Sequence, residues 1–340
     1  MHNFYSDTQT KPSRAMLEAA LTAPLGDEQK GADPTTRALE ERVAELLGKE
    51  DAVFLPSGTM CNQIALRVHC RPGDEVICER TCHIVNFEGG GGSAIAGIAP
   101  RTIDGVNGIY QPEQVAAAIR PANRHAPISR LLGAEQTANM GGGAVWPLET
   151  LSGVAKVARD AGLATHMDGA RLLNAVVASG TSAAAFAEHY DSVWIDFTKG
   201  LGAPVGAALA GSRDFIGEAW RYKQQMGGAM RQSGVIAAMC DWALEHNVER
   251  MAEDHHLAQS IAARLIEIPS VSAFLPCDTN ILIFELSEDA IPAPELVTRM
   301  AEDGITIGAL DARRIRVVTH LDVDRDAAEF LLSALARHLS

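Results

Sequence analysis

One lysine of this sequence stands in a glycine-rich turn, a position that suits covalent chemistry. Lys199 follows the apolar run 192–196 and is itself followed by glycines at positions 200, 202 and 206. Burying an ammonium group is costly, and a lysine made neutral by burial is what an imine with a carbonyl cofactor requires. The segment by itself fits equally well a solvated lysine at the end of a strand.

Two further segments carry groups that a phosphorylated cofactor with a pyridine ring needs. Asp168 and Arg171 stand at the end of an apolar run, where a carboxylate can keep a pyridine nitrogen protonated and a guanidinium can reach a ring hydroxyl or a substrate carboxylate. Ser57, Gly58 and Thr59 lie between a strand and a helix pattern, where backbone N–H groups and the positive helix end can bind phosphate. A surface ion pair and ordinary turn chemistry explain each motif alone. Together with the lysine, the motifs predict a single cofactor.

The elements that must position these groups alternate along the chain. Apolar runs of strand length are followed by small-residue turns and then by helical spacing, which predicts a mostly parallel α/β sheet. The predicted strands are 51–55, 75–78, 130–135, 164–168 and 192–196, and the predicted helices are 13–22, 35–48, 60–69, 112–119 and 148–161. From about residue 251 the pattern changes to a long helix at 251–265, apolar strands at 280–285 and 316–318, and a closing helix at 325–339. The short glycine stretch 89–92 predicts a tight turn.

This pattern predicts a large domain over residues 1–250, in which the segment 1–25 contributes to the active site, and a small C-terminal α+β domain over 251–340. A chain of 340 residues that is 47% hydrophobic can bury a substantial core. A formal net charge of −14 with no basic run argues against nucleic acid or an anionic membrane as the partner and favours a small molecule.

Compartment and metal content are also predicted from the sequence. The N-terminus lacks the pattern of a secretory signal, and no apolar run reaches the roughly 18 residues that span a bilayer. The six cysteines have no metal-ligand spacing, so we expect free thiols in a reducing compartment, by default the cytoplasm, and no bound metal.

Several motifs together resemble one known family. The chain is similar to the low-specificity L-threonine aldolases, which belong to the β-eliminating lyase group, over nearly its whole length and in the family's order. The motifs are residues 6–11 (SDTQTK), 56–60 (PSGTM), 168–171 (DGAR), 199–204 (KGLGAP), 227–232 (GGAMRQ) and 316–320 (RVVTH).

The resemblance implies a fold-type-I pyridoxal 5′-phosphate enzyme of the aspartate-aminotransferase type, usually a homotetramer with sites formed between two subunits. For cofactor binding it implies one role for each matching residue. Lys199 would carry the cofactor as a Schiff base, Asp168 would pair with the pyridine nitrogen, and His83 would stack on the ring. The phosphate would be bound by Ser57, Gly58 and Thr59, and from the neighbouring subunit by Arg231 and Lys223.

For the substrate, the resemblance implies that Ser6, Arg171 and Arg316 hold the carboxylate. The implied reaction is that of a carbon–carbon lyase in amino-acid metabolism, the cleavage of L-threonine, L-allo-threonine or a related β-hydroxy-α-amino acid to glycine and an aldehyde. His83 is the candidate base for the β-hydroxyl proton, and an ordered water or Lys199 could serve instead. β-Elimination, racemisation and transamination start from the same bound state and remain alternatives. A non-catalytic binding protein is a further alternative.

The sequence departs from the family pattern in one place that concerns the substrate. Many members have Glu-Asn-Thr-His-Asn after the central strand, whereas this chain has Ala138 in place of the histidine. We therefore expect Ala138 to enlarge the substrate pocket and to remove a hydrogen-bond donor from it, which leaves the preference between threonine and allo-threonine open.

Overall fold

A computed structural model describes residues 1–339 as an α/β structure with two main sheets. The helices are α1 (Arg14–Thr22), α2 (Pro34–Leu47), α3 (Gly58–His69), α4 (His83–Asn86), α5 (Pro112–Ala118), α6 (Leu148–Asp160), α7 (Leu172–Ser179), α8 (Ala183–Ala187), α9 (Arg213–Gln225), α10 (Gly234–His246), α11 (Met251–Leu265), α12 (Ala293–Glu302) and α13 (Arg325–Leu339). The strands are β1 (His2–Asn3), β2 (Asp51–Leu55), β3 (Glu75–Glu79), β4 (Ala99–Ile103), β5 (Ser129–Glu135), β6 (Ala164–Gly169), β7 (Ser192–Asp196), β8 (Ala207–Gly211), β9 (Val271–Phe274), β10 (Ile281–Leu286), β11 (Ile305–Thr306), β12 (Gly308–Ala309) and β13 (Arg314–Val318).

The central sheet has seven strands in the order β2-β8-β7-β6-β5-β3-β4. The strands from β7 to β4 pair in parallel, and β8 runs antiparallel to both of its neighbours. The predicted mostly parallel sheet is therefore confirmed. β2 points the same way as β7, so the carboxyl ends of β2, β3, β5, β6 and β7 share one edge of the sheet.

Helices cover both faces of this sheet, which explains why β2, β7 and β8 are buried along nearly their whole length rather than alternating with exposed residues. In β2, Val53 and Leu55 pack on one face with Trp194, while Ala52 and Phe54 belong to the larger core on the other face. Helix α2 contacts β2 and β8 on the side of the larger core, and α3 and α9 pack together on the other.

The second sheet lies in the C-terminal part of the chain and is antiparallel, in the order β12-β13-β10-β9. Its core is formed with α11, α12 and α13 around side chains such as Leu282 and Phe284. The N-terminal strand β1 pairs with β11, which ties the first residues of the chain to this region. The predicted boundary between residues 250 and 251 remains a prediction.

The predicted elements agree with the structure to within a few residues at their ends. Several elements were absent from the prediction, among them the strands β4 and β8 of the central sheet. Strand β8 contains Ala and Gly with a single Leu, so it lacks the β-branched signal of a strand, and it forms because it fills the space between β2 and β7. In the glycine stretch, Gly89 and Gly90 have φ of 60° and 73°, which agrees with the predicted turn. None of the helices within residues 1–339 has the length and apolar character needed to cross a membrane.

Candidate active site

A cavity of about 380 Å³ opens at the carboxyl edge of the central sheet. Segments that follow β2, β3, β6 and β7 form its walls together with Thr8 and Thr10, as the carboxyl ends of parallel strands do in other α/β sheets. The sequence-predicted residues that line it are Ser57, Gly58, Thr59, His83, Asp168 and Lys199. The structure thus brings these residues together, although they are far apart along the chain.

The wall formed by residues 57–59 is the first turn of α3. The Ser57 hydroxyl caps this helix by accepting a hydrogen bond from the Met60 amide at 3.3 Å. The backbone N–H groups of Gly58 and Thr59 are in the first turn, so they have no acceptor within the helix. They lie at the positive end of the helix dipole. A Cβ on Gly58 would lie 2.1 Å from the Trp194 ring, so glycine is required for α3 to begin this close to the indole.

The floor of the cavity is the carboxylate of Asp168, at the end of β6. It is 2% exposed and accepts hydrogen bonds from Asn62 Nδ2 at 2.8 Å and from the Ala170 amide at 3.1 Å. Burial raises the pKa of Asp168, although His83 and Asn62 oppose this effect. Within residues 1–339 no lysine or arginine forms an ion pair with it, so a cationic N–H placed above it would offset the cost of burying its charge.

Lys199 reaches the same cavity from the turn after β7. Its Nζ lies 2.6 Å from Asp196 Oδ2 and 5.6 Å from the centre of the Trp194 ring. The side chain is 15% exposed, so its amine remains accessible from the cavity. Thr10 fixes the turn by donating a hydrogen bond from its hydroxyl to the Lys199 carbonyl.

A second cavity of about 250 Å³ adjoins the first. The residues that line both cavities are Thr8, His83, Asp168, Ala170 and Lys199. The second cavity is lined in addition by Ser6, Arg171 and Arg316, the three residues that the sequence predicted for substrate binding. The two cavities are therefore neighbours, and Lys199 faces both of them.

The two arginines of the second cavity differ in their partners. Arg171 is buried and makes a two-bond ion pair with Asp7, at 2.8 Å through Nε and 2.6 Å through Nη2. Burial opposes ionisation of both groups, but their mutual attraction lowers the pKa of Asp7 and raises that of Arg171. Arg171 is thus already neutralised within the protein.

Arg316 has no carboxylate partner within residues 1–339. Its Nη2 donates to Asn139 Oδ1 at 2.9 Å, its Nη1 donates to the Tyr5 carbonyl at 3.2 Å, and its buried Nε has no partner there. Burial and the neighbouring Arg171 lower the pKa of Arg316 to about 10. The cavity therefore contains one unneutralised cation, which suits an anionic ligand.

His83 stands between the two cavities at the start of α4. Its side chain is 35% exposed, its Nδ1 lies 2.9 Å from Glu88 Oε1, and its backbone amide donates to Glu135 Oε2 at 2.7 Å. Burial works against protonation of the ring, but the hydrogen bond to Glu88 and the charges of Asp168, Glu88 and Glu135 raise the pKa of His83 above its ordinary value. Burial and Asp168 raise the pKa of Glu135 to about 7.

Lys223 was expected at the phosphate and does not line either cavity of its own chain. Its side chain is fully buried in its own chain, where Nζ pairs with Glu28 at 3.0 Å and lies 4.2 Å from the centre of the Trp220 ring. Its charge is neutralised inside this cluster, which argues against a role at the neighbouring subunit's phosphate, and the expectation stays a prediction. Arg231 differs, because its side chain is 62% exposed and pairs with Asp27 at the surface.

Ala138 was expected to enlarge the substrate pocket, and it is not among the residues that line the second cavity. The side chain is 3% exposed, and a Cβ built on Gly108 would lie 2.5 Å from the Ala138 methyl group. The expected effect of Ala138 on pocket size and hydrogen bonding stays a prediction. Within the described chain, the residues of this loop that line the second cavity are Thr137, Asn139 and Met140.

Sequence reasoning missed several polar residues of the site. Asp7 and Asp196 stand near predicted residues along the chain, and this proximity was a usable signal. Glu88 and Asn62 also stand close to predicted residues, five positions after His83 and three after Thr59, but Asn62 meets Glu88 and Asp168 only through folding. These residues are buried and pair with Arg171, Lys199, His83 and Asp168.

One group of side chains in the site has metal-ligand chemistry. His83, Glu88 and Asp168 each bring a ligand-type atom within 4.8 Å of the others. Hydrogen bonds already join them, because Asn62 Nδ2 bonds both carboxylates and His83 bonds Glu88. We describe the group as a hydrogen-bonded network, and the expected absence of a metal remains a prediction.

Comparison with known sequences gives a consistent set of relatives. A family model of beta-eliminating lyases matches residues 3–289. The sequence is 42% identical over 327 residues to the low specificity L-threonine aldolase of Escherichia coli strain K12, with 96% of each chain covered. It is 37% identical over 334 residues to low-specificity L-threonine aldolase 1 of Arabidopsis thaliana, which covers 96% of this chain and 93% of the relative.

Solved structures with a similar fold include more distant sequences. The threonine aldolase of Leishmania major has a TM-score of 0.85 at 22% identity, with 99% of this chain and 100% of the other covered. The serine palmitoyltransferase of Sphingomonas wittichii has a TM-score of 0.78 at 14% identity, with 99% and 86% covered. These similarities confirm the predicted fold-type-I architecture.

Proposed function

Since this chain belongs to the beta-eliminating lyase family, and within it to the low-specificity L-threonine aldolases, we propose that it cleaves L-threonine, L-allo-threonine or a related β-hydroxy-α-amino acid to glycine and an aldehyde. The observation that carries this proposal is the meeting of two cavities at Lys199. One has groups for a phosphorylated ring, and the other has a cation for an amino-acid carboxylate.

The cofactor of this family is pyridoxal 5′-phosphate, and the first cavity fits it. Asp168 is a buried carboxylate without a cationic partner within residues 1–339, and the first turn of α3 offers N–H groups to a phosphate. Asp168 would hold the pyridine nitrogen, Ser57, Gly58 and Thr59 the phosphate, and Lys199 the aldehyde carbon. When bound, the cofactor supplies a ring that accepts electrons from the substrate's α-carbon.

The substrate carboxylate is assigned to Arg316 first and to Ser6 second. Arg316 is the arginine of the second cavity that no carboxylate neutralises within the described chain, and its buried Nε lacks a partner there. Arg171 contributes mainly by holding this wall in place, because Asp7 already takes two of its N–H groups. A substrate held in this way would have both Lys199 and His83 in the same cavity, the first for its amine and the second for its β-hydroxyl.

His83 is the candidate base for the β-hydroxyl proton. It lines both cavities, and because Nδ1 is bonded to Glu88, Nε2 is the ring nitrogen available to a substrate. Loss of the hydroxyl proton to Nε2 as the Cα–Cβ bond breaks would release the aldehyde, and the same proton would then be available to the glycine carbon. An ordered water or Lys199 could take this proton instead.

A homotetramer with sites shared between two subunits, in the cytoplasm, is part of this proposal. The exposed guanidinium of Arg231 is available to a neighbouring chain's phosphate, and α1 exposes Leu17 and Leu21, at 48% and 84%, in a way that suits a subunit contact. The six free cysteines suit a reducing compartment.

A product-resolved assay tests the reaction. Protein loaded with pyridoxal 5′-phosphate is incubated with L-threonine, L-allo-threonine and phenylserine, and glycine, aldehyde, 2-oxo acid and ammonia are each measured. Glycine and aldehyde in equal amounts are expected. A 2-oxo acid with ammonia would instead indicate β-elimination, and an inverted α-carbon would indicate racemisation. No turnover with any substrate would refute the aldolase assignment.

A further inference from the structure

Glu88 is a buried carboxylate behind the candidate base His83. Its side chain is fully buried, and its Oε1 lies 2.9 Å from His83 Nδ1 and 2.6 Å from Asn62 Nδ2. Its Oε2 lies 2.6 Å from Gln63 Nε2. Glu88 does not line either cavity, so it acts on the site only through the residues it touches.

The donor and acceptor roles around Glu88 follow from Asn62. The Asn62 carbonyl faces the indole N–H of Trp194 at 2.7 Å, which can only donate, and the His166 ring at 3.0 Å. The amide NH₂ of Asn62 must therefore point the other way, and it bonds Glu88 at 2.6 Å and Asp168 at 2.8 Å. All four hydrogen-bonding positions of this fully buried amide are filled.

These roles determine the protonation of the pair. Glu88 accepts hydrogen bonds from two side-chain amides, from Asn62 at Oε1 and from Gln63 at Oε2, which is the bonding pattern of a carboxylate that acts only as an acceptor. The contact with His83 Nδ1 must then be a hydrogen bond donated by the ring. A neutral His83 therefore carries its proton on Nδ1 and presents the lone pair of Nε2 to the cavity.

We infer that Glu88 is the positioning residue that makes His83 a base, by holding the proton on Nδ1 and by stabilising the imidazolium that forms when Nε2 takes the β-hydroxyl proton. This inference rests on the proposed function for its reaction but not for its geometry. Asn62 holds Glu88 in place, because its NH₂ group bonds the carboxylates of both Glu88 and Asp168.

The charges that face His83 come from three elements. Glu88 bonds the ring, Asp168 faces it from the end of β6, and Glu135 accepts its backbone amide from the end of β5. Only Glu88 forms a hydrogen bond to the imidazole itself. Removing the charge of Glu88 should therefore lower the pKa of His83 while the other two carboxylates stay in place.

The test is Glu88→Gln, which removes the charge and keeps the shape. The carbonyl of the introduced amide must face Asn62, whose NH₂ is fixed by Trp194, so it still accepts from His83 Nδ1. The NH₂ of the introduced amide would face Gln63, whose Oε1 has no partner within residues 1–339 and can accept it if the Gln63 amide reverses. The variant is thus expected to fold and to separate the effect of charge from that of the hydrogen bond.

Two readouts are expected to change together. The first is ¹⁵N NMR of histidine-labelled protein without substrate, in which the His83 signals are assigned by comparison with His83→Asn. Neutral wild-type His83 should carry its proton on Nδ1. In E88Q the His83 ring should titrate about one pH unit lower than in wild type. In the holoenzyme, kcat should fall about 10-fold or more with KM nearly unchanged, and the acidic limb of its pH profile should move to lower pH.

The matched control is Glu40→Gln, a buried glutamate outside both cavities that should leave the His83 titration and kcat unchanged. A neutral wild-type His83 with its proton on Nε2 would overturn the inference, and so would an unchanged His83 titration and pH profile in E88Q. An enzyme without aldolase activity would refute the proposed function alone, because the NMR measurement of tautomer and titration does not depend on turnover.

Discussion

Two lysines of this protein have nearly the same immediate surroundings and different expected roles. Lys199 pairs with Asp196 at 2.6 Å and lies beside Trp194, and Lys223 pairs with Glu28 at 3.0 Å and lies beside a tryptophan as well. The difference is in the space around them. Lys199 stands on the wall of a 380 Å³ cavity, whereas Lys223 is fully enclosed by its own chain.

Residue type and ion pairing therefore do not identify a reactive lysine. Burial lowers the pKa of Lys223, against the opposing charges of Glu28 and Glu40, yet its side chain lines neither cavity of the site. An amine can form a bond to a cofactor only where a cavity lies next to it. Lys199 is therefore a candidate reagent, and Lys223 is a structural group.

The largest expected effect is the loss of turnover when Lys199 is replaced. Lys199→Ala should reduce turnover of a β-hydroxy-α-amino acid by at least about 10³-fold, because the group that holds the cofactor's aldehyde is removed. Glycine release is measured by mass spectrometry, with circular dichroism and the thermal midpoint as controls for folding. Activity close to wild type would contradict the role of Lys199.

The next effect concerns stability rather than chemistry. Lys223→Met leaves Glu28 buried without its cation and should lower the free energy of unfolding by about 3–5 kcal/mol, while kcat per folded enzyme stays near wild type. Urea unfolding measures this change. The double variant Lys223→Met with Glu28→Gln should recover much of the loss, and a stable single variant with lost activity would assign Lys223 to the site after all.

The same contrast between neutralised and free cations applies to the arginines. Arg316→Met should raise KM about 10²-fold with a smaller change in kcat, because the unneutralised guanidinium of the second cavity is lost. Steady-state kinetics with L-threonine measure this change. Arg171→Met is the comparison variant, and it should destabilise the fold because it leaves Asp7 unpaired. Equal KM in wild type and R316M would remove Arg316 from the substrate assignment.

The smallest expected effect is a pH dependence of stability caused by Glu40, a carboxyl group on which the charge of Lys223 acts. Burial raises the pKa of Glu40 from 4.5 to about 7, so its contribution to stability is complete below about pH 4.5 and is lost as the pH rises through 7. Glu40→Gln cannot ionise and should be about 1–3 kcal/mol more stable than wild type at pH 9, with little difference at pH 5. Urea unfolding at both pH values measures this, and an equal difference at the two would contradict the titration of Glu40.

Much of the fold and part of the site followed from local patterns. The predicted helices and parallel strands followed from apolar spacing that is set by residues close in the chain, and the segments 57–59, 168–171 and 199–204 stand at or after the ends of strands that share one edge. Strand β8 was not predicted because its alanines carry no strand signal, and its position depends on β2 and β7. The surroundings of Lys223 and Ala138 were not predicted because residue type does not determine which way a side chain points.

The sequence by itself determined the family, the α/β fold and the cofactor class and predicted the attachment lysine, since each depends on motifs of a few consecutive residues. Only the tertiary structure decided which charges are neutralised. Asp7 meets Arg171 across 164 positions and Glu28 meets Lys223 across 195, and Asn62 joins Glu88 to Asp168. The energy of a charge depends on what surrounds it within a few ångströms, and those neighbours are set by the packing of distant segments.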